Sequence, residues 1–413
     1  MKPEKTLTVR LNKEFVGYLE QNQQGKMVFT YTDNNVKQLS MSLPVRTNPY
    51  SDKFCRGFFE GLLPEGEQIR NYIGKKYGIN PKNEFSLLKA IGYDCAGAVS
   101  FTDYENNPQS YDNEFIDIVG KKFTDDALEE YILALPQKPL LTGSTGLRLS
   151  LAGAQDKMAI VLIDDVVSLP QKDVPTTHIL KPMIKGIEGS IENEYICLKA
   201  AKLVGLNVCE AEIRTTQNLK YLLIKRYDRE TKDGKIRRIH QEDFCQAKNI
   251  ISAFKYEKEG GIKLKDCFDI VNKTSSPAAS KVELINRIVF HYLTGNYDAH
   301  GKNFSILYSN NKIQLAPAYD ILCTAIYPEL SHELAMKIGG YYDPDMIIPE
   351  RWKKMAEDFD ISYTQLRKII LKQAEILPKI VKKIDSELNQ PISKKISEFV
   401  ETNCQKTIER FGK

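Results

Sequence analysis

Apolar and polar residues alternate at the start of the chain. KTLTVRLNKEFVGYLEQNQQGKMVFTYT, residues 5–32, keeps this period of two with turn residues between its runs, which predicts a small antiparallel sheet. The spacing then becomes helical. DKFCRGFFEGLLPEGEQIRNYIGKKYGI has apolar residues on one helical face and is broken at Pro64, and NEFSLLKAIGYDCAGAVSF reads as a short helix running into a strand. Residues 1–110 are therefore expected to form a small α+β subdomain, closed by the turn-rich stretch DYENNPQSYDNE.

Strands dominate residues 111–228. LRLSLAGAQDKMAIVLI reads as strand, tight loop, strand, and THILKP as a short strand stopped by Pro182. SIENEYICLKAAKLVGL predicts a helix with Ser190 as N-cap and Gly205 near its C-terminal end. VCEAEIRTTQNLKYLLIKRYDR predicts a hairpin. Residues 229–413 form the third division, in which helices dominate from about 240 onward; KVELINRIVFHYLTG places Leu284, Ile285, Ile288, Val289 and Tyr292 on one face and stops at Gly295.

Composition adds little to this pattern. Of 413 residues, 42% are apolar and 27% charged, as in ordinary globular proteins with two or three domains. A net charge of +4 is too mild to argue nucleic-acid binding for the whole chain. The charge is uneven, however: residues 351–413 hold 14 Lys and Arg against 9 Asp and Glu. That segment is expected either to touch nucleic acid or an acidic partner, or to present a solvated helical face. The eight cysteines (Cys55, Cys95, Cys197, Cys209, Cys245, Cys267, Cys323 and Cys404) lack zinc or thioredoxin spacing and predict reduced, buried thiols in a cytoplasm. No apolar leader and no run of about 18 apolar residues appears, so neither a secretory signal nor a membrane span is expected.

The candidate chemistry lies in GNYDAHGKNFS, residues 295–305, directly behind the apolar helix. Asp298 and Asn303 stand as D-x-x-x-x-N, followed by strand, turn, strand and Asp320. Phosphoryl transfer needs a carboxylate to accept the proton of an attacking hydroxyl and hard oxygen ligands for Mg²⁺, and Asp298, Asn303 and Asp320 supply these types in the order of a protein-kinase core. Upstream, Lys181 sits in a strand where a phosphate-binding lysine belongs. Glu194 lies on the following helix and could pair with it. SLAGAQDK joins two strands, where a phosphate-covering loop would be, and KRY, residues 225–227, ends a strand where a hinge would contact adenine through its backbone. Taken singly, each part has a plainer reading: turn chemistry for Asp298 and Asn303, a hairpin loop for SLAGAQDK, a surface lysine, a helix N-terminal charge for Glu194 and a structural His300.

The strings SLAGAQDK, HILKP, NEYICLKAAKLVGLNV, RIHQEDFCQA, GNYDAHGKNFS and APAYDIL resemble the HipA family of bacterial toxin kinases, and FFEGLLPEG and IGYDCAGAV resemble that family's first subdomain. The resemblance implies a protein-kinase-like two-lobe α+β core, with a β-rich N-lobe and a helical C-lobe, behind a small α+β N-terminal subdomain. It implies an ATP- and Mg²⁺-dependent serine/threonine kinase with Asp298 as catalytic base and Asn303 and Asp320 as metal ligands. Ala152, Gly153, Ala154, Gln155, Asp156, Lys157, Lys181, Lys225, Arg226, Tyr227, His300, Gly301, Lys302, Asn303, Tyr319 and Asp320 would line the nucleotide, and Ser150 matches an autophosphorylated serine. The implied partners are a HipB-like helix-turn-helix antitoxin, operator DNA reached through it, and a translation component such as glutamyl-tRNA synthetase as substrate. Lys225 stands where some members carry an acidic residue, and Asp156 where Glu is commoner. Two other readings remain open at this point. One is a metal-dependent phosphoesterase using Asp298, His300 and Asp320; the other is a catalytically silent module that binds antitoxin and DNA.

Overall fold

The computed structural model describes residues 5–12, 14–103, 115–136, 155–171 and 174–412. Internal packing divides the chain into two units, one of residues 1–182, 214–253 and 307–311, the other of 183–213, 254–306 and 312–413.

The first unit opens with the expected antiparallel strands, β1 (Thr6–Leu11), β2 (Glu14–Gln21) and β3 (Met27–Tyr31), joined by β4 (Tyr50–Ser51). Helices α1 (Asp52–Glu60) and α2 (Glu67–Tyr77) flank the break at Pro64, and α3 (Glu84–Ile91) runs into β5 (Val99–Asp103). The sheet order is β4-β3-β2-β1-β5. Phe29, Phe58, Phe59 and Phe101 are fully buried, and Phe59 lies 5.3 Å from Phe29 and 5.9 Å from Phe101 between ring centres. These contacts pack α1 against the sheet, because alternation sends one strand face inward while the helix buries a single stripe.

Next come β6 (Ile116–Asp117), β7 (Gly120–Lys122), α4 (Asp125–Ala134), β8 (Met158–Ile163), β9 (Val166–Pro170) and β10 (His178–Lys181). Helix α4 was not anticipated; Thr124 caps it by accepting from the N–H of Ala127. Helix α5 (Ser190–Leu203) belongs to the second unit, and β11 (Ala211–Thr215) leads through a turn to β12 (Lys220–Lys225). Within the first unit the strands run β12-β10-β8-β9-β7, with Lys181 opposite Leu222. An unanticipated hairpin follows, β13 (Arg229–Lys232) and β14 (Lys235–Arg238), turned by Asp233 (φ 50°) and Gly234 (φ 73°) and flanked by β6; β15 (His240–Asp243) and the short α6 (Phe244–Ala247) close this stretch.

In the second unit α7 (Leu264–Val271) packs on α8 (Pro277–Thr294), which ends where Gly295 adopts φ 70°, as expected from the sequence. A Cβ there would lie 2.5 Å from the Phe399 ring and 2.7 Å from Ala325, so close packing as well as backbone conformation requires glycine. The strand–turn–strand after the polar loop is β16 (Ser305–Ser309) and β17 (Lys312–Leu315), turned at Asn310 and Asn311, both with positive φ; residues 307–311 of it belong to the first unit. Helices α9 (Pro349–Asp358), α10 (Tyr363–Leu388) and α11 (Pro391–Gly412) complete the unit. Helix α5 is buried around most of its circumference, because α10 and α11 both pack on it. Ser190 is a correction: the N-cap is Gly189 at φ 70°, without a side-chain cap, and the Ser190 hydroxyl instead accepts from the N–H of Ile184 at 2.8 Å. Position 189 is left to glycine by its left-handed backbone and by Ile392, 2.9 Å from where a Cβ would stand. All eight cysteines are free and buried. No helix among the described residues is long and apolar enough to cross a membrane.

One buried carboxylate gives the first unit a pH dependence. Glu242 accepts hydrogen bonds from the hydroxyls of Ser40 and Tyr308 and from the N–H of Met41, yet burial pushes its carboxyl up to about 7. A raised carboxyl favours the folded state while protonated. The stabilisation is complete below the ordinary value of 4.5 and is lost as pH rises through about 7. His240, stacked 5.0 Å from Tyr308, works the other way, since burial lowers its imidazole to about 4. The Glu242 contribution is therefore read as a difference: a Glu242→Gln chain should gain stability relative to wild type as pH rises through that window. Urea midpoints that stay parallel across the window would assign the slope elsewhere.

Candidate active site

The polar stretch behind α8 is a compact loop organised by its own backbone. Asn296 anchors its start: its amide donates to His291 Nδ1 at 3.0 Å, and its carbonyl oxygen accepts from the N–H of Asp298 at 3.2 Å. Burial, with Arg287 nearby, lowers the His291 imidazole to about 3, consistent with a neutral ring whose Nδ1 accepts. The Asp298 carbonyl then receives two donors, the His300 N–H at 2.8 Å and the Asn303 side-chain amide at 3.0 Å. Asn303 is buried and fixes the loop with its nitrogen, which turns its side-chain oxygen the other way.

Asp298 itself is exposed. Its Oδ1 accepts from the Tyr256 hydroxyl at 2.6 Å, and among the described residues its Oδ2 has no partner. A solvent-facing carboxylate with one oxygen held and one open can accept a proton. Tyr256 and Asn296 were not singled out in the sequence; the only hint of Tyr256 is the Gly260–Gly261 pair that closes its turn.

Further on, the Tyr319 hydroxyl donates to the Lys302 carbonyl at 2.6 Å and lies 2.7 Å from the Ser305 hydroxyl. Asp320 follows in the left-handed region at φ 56°, a conformation that non-glycine residues adopt rarely and that Asp tolerates better than most. His300, Gly301, Lys302 and Asn303 are buried, Tyr319 and Asp320 half-buried. The second unit thus gathers Asp298, His300 to Asn303 and Tyr319 by direct hydrogen bonds, with Asp320 next in sequence. Asp298, His300 and Asp320 do not form a three-ligand metal cluster, nor does any other His, Cys, Asp or Glu group among the described residues.

The other candidates lie in the first unit, except Glu194, buried on α5. Ser150, Ala152, Gly153 and Ala154 fall outside the described residues. Gln155, Asp156 and Lys157 lead half-buried into β8, Gln155 donating to the Pro182 carbonyl at 3.5 Å; partial burial raises the Asp156 carboxyl. Lys181 is buried at the end of β10 and Lys225 exposed at the end of β12. Arg226 turns its side chain inward. Its N–H donates to the Thr177 carbonyl at 3.0 Å, and its buried guanidinium grips Asp228 through Nε and Nη2 at 3.0 and 2.8 Å. Tyr227 donates to Gln241 at 2.5 Å.

The chain is similar in sequence and in fold to known proteins. A family model described as HipA-like C-terminal domain matches residues 149–383, and one described as HipA N-terminal domain matches residues 7–102. The chain is 39% identical to "Putative kinase Y4mE" of Sinorhizobium fredii over 373 residues, covering 89% of this chain and 88% of that protein. The chain belongs to the HipA family. It is also 28% identical to the serine/threonine-protein kinase toxin HipA of Shewanella oneidensis, over 75% of this chain and 72% of that one. Its fold matches a chain of the Shewanella oneidensis complex of HipA, HipB and operator DNA with a TM-score of 0.84 at 23% identity, covering 98% and 97% of the two chains. The α+β, protein-kinase-like fold expected from the sequence is thus the HipA fold, and this HipA-family chain is a kinase.

Proposed function

We propose that this HipA-family kinase transfers the γ-phosphoryl group of Mg·ATP to serine or threonine hydroxyls, with Asp298 as catalytic base. One observation carries the reading: Asp298 is exposed, with Oδ2 open, on a loop whose shape is fixed by Asn303 and Asn296 rather than by the carboxylate. The donor set suits Mg²⁺. Asn303 has its oxygen turned away from the loop, Asp320 supplies a carboxylate, and hard oxygens are what this ion prefers. Bound there, the ion would neutralise phosphate charge. Gln155, Asp156, Lys157, Lys181, Lys225, Tyr227, His300 to Asn303 and Tyr319 would contact the nucleotide; Ala152, Gly153 and Ala154 join them on sequence grounds alone. Arg226 would contribute to the hinge through its backbone, since its guanidinium is held by Asp228.

A HipB-like antitoxin and operator DNA are the proposed partners, supported by the complex that contains the structural neighbour. A translation component such as glutamyl-tRNA synthetase is the proposed substrate and Ser150 the proposed site of self-modification, both resting on the sequence resemblance. A phosphate at Ser150 adds about −1.5 to −2 charge beside the phosphate-covering loop and opposes nucleotide entry. Mass spectrometry after incubation with Mg·ATP should find one phosphate at Ser150 in wild type and none there in Ser150→Ala. The phosphorylated form should bind a non-hydrolysable ATP analogue much more weakly than the unmodified form. Equal affinities of the two forms would remove the switch, and absence of any transfer, to itself or to a lysate, would remove the kinase assignment.

A further inference from the structure

The loop before α7 is stitched to the candidate catalytic loop. The Gly301 N–H donates to the Lys255 carbonyl at 3.3 Å, and the Glu257 N–H donates to Ala335, whose own N–H donates to the Tyr297 carbonyl at 2.8 Å. The turn closes on itself: the Tyr256 carbonyl accepts from the N–H groups of Glu259 and Gly261 at 3.1 and 3.0 Å. A Cβ at position 261 would fall 1.7 Å from the Phe254 carbonyl oxygen, so only glycine permits this turn. Its product is the placement of one side chain. The Tyr256 ring stands edge-on to His300, 5.1 Å between centres, and its hydroxyl donates to Asp298 Oδ1 at 2.6 Å.

We propose that Tyr256 is a positioning residue for phosphoryl transfer, its hydroxyl holding one oxygen of Asp298 so that the other faces the hydroxyl to be phosphorylated. The inference rests on the assignment of Asp298 as base. An exposed Asp carboxylate rotates freely about χ2, and no cation or second side-chain donor among the described residues restrains this one. A single charge-assisted hydrogen bond from a phenol whose ring stands against His300 sets that rotation. In the reaction the acceptor oxygen bonds to the γ-phosphorus as the bond from that phosphorus to the β–γ bridging oxygen breaks. The acceptor's proton passes to Oδ2, ADP leaves with the bridging oxygen, and Oδ1 keeps its bond from Tyr256 throughout.

The test uses the full chain and its transfer of labelled γ-phosphate from ATP to itself and to casein, at saturating enzyme in single turnover. Tyr256→Phe keeps the ring against His300 and deletes only the hydroxyl. The expected result is a rate lower by roughly tenfold to a hundredfold, with unchanged melting temperature and unchanged half-saturating ATP. In an Asp298→Asn background, the same substitution should cause no further loss, because a residue acting through the carboxylate has nothing left to position. A wild-type rate in Tyr256→Phe overturns the proposal, and so does a multiplicative loss in the double variant, which would mean that Tyr256 acts independently. If Asp298→Asn alone transfers at the wild-type rate, the base assignment falls and takes this inference with it. That outcome is distinct from an inactive Asp298→Asn beside a fully active Tyr256→Phe, which removes Tyr256 alone.

Discussion

Asp298→Ala should lose between a hundredfold and ten-thousandfold of phosphoryl transfer, the usual scale for removing a general base, while folding as wild type. The folding half of this expectation comes from the loop. The carboxylate is exposed, and among the described residues its one side-chain hydrogen bond comes from the Tyr256 hydroxyl; the turn is closed by the Asp298 carbonyl, which accepts from His300 and Asn303 and survives in alanine. Asp320 needs a different variant. Its φ of 56° strains an alanine by on the order of 1 kcal/mol, whereas Asn tolerates the left-handed region, so Asp320→Asn separates chemistry from backbone strain. That variant should show a comparable loss that higher Mg²⁺ partly restores. Asn303→Ala should lose transfer and also some stability, because the buried amide that ties the loop to Asp298 goes together with the oxygen proposed as a metal ligand. Phosphate transfer at saturating Mg·ATP, with melting curves beside it, checks all three. A near-normal rate for Asp298→Ala would mean that the exposed carboxylate is ordinary turn chemistry after all.

Much of the scaffold was legible because periodicity is a local signal. β1 to β3, the break at Pro64, α3 into β5, and α8 ending at Gly295 all stand where the pattern put them. The misses were local too. Thr124 followed by Asp125 and Asp126 is a capping signal for α4, and Asp233–Gly234 is a hairpin signal for β13 and β14, but both were overlooked inside stretches read by their dominant character. Ser190 was misplaced for a tertiary reason: Ile392, far away in sequence, packs where a side chain at 189 would stand, and the left-handed glycine it permits becomes the cap. The candidate site could be named from the sequence only as residue types in an order, Asp298, Asn303 and Asp320 after an apolar helix. What holds it could not be. Tyr256 lies 42 residues upstream of the carboxylate it touches, and no period connects the two. The inward turn of the Arg226 guanidinium onto Asp228 had no local signal either, since nothing in the charged run KRYDR marks one of its side chains as buried.

That inward turn leads to the largest stability effect expected of any single substitution here. Asp94, in the loop between α3 and β5, is fully buried among three arginines: Arg229 at 2.8 Å, Arg238 at 3.2 Å and Arg226 at 3.5 Å. Thr176 donates to it through both its hydroxyl and its N–H. Asp228 completes the network, gripped by Arg226 and Arg229 and capped by the Gly97 N–H at 2.7 Å. Burial works against the Asp94 charge, but Arg229, Arg226 and Arg238 outweigh it and hold the carboxyl well below its ordinary value. Such a network costs a great deal to desolvate, so its intact value is modest, whereas breaking it is severe. Asp94→Ala leaves three buried guanidinium groups, of which Asp228 pairs with Arg226 and Arg229 and nothing replaces the carboxylate beside Arg238, and should cost roughly 3–5 kcal/mol, a large share of a typical domain's stability. The resemblance of IGYDCAGAV to a family motif has a physical basis here: the loop contributes Asp94, the carbonyls of Cys95 and Gly97, and the Gly97 N–H to the arginines and aspartate of residues 226–238. Acid should act in the same direction. A carboxyl held low stabilises the fold above its unfolded value of 3.8 and loses that contribution as pH falls toward its folded value, so wild type should weaken in acid more steeply than Asp94→Ala. Urea denaturation followed by circular dichroism reads both effects. A loss under 1 kcal/mol for Asp94→Ala would show that water or a shifted side chain replaces the carboxylate, and that the loop is held by its backbone bonds alone.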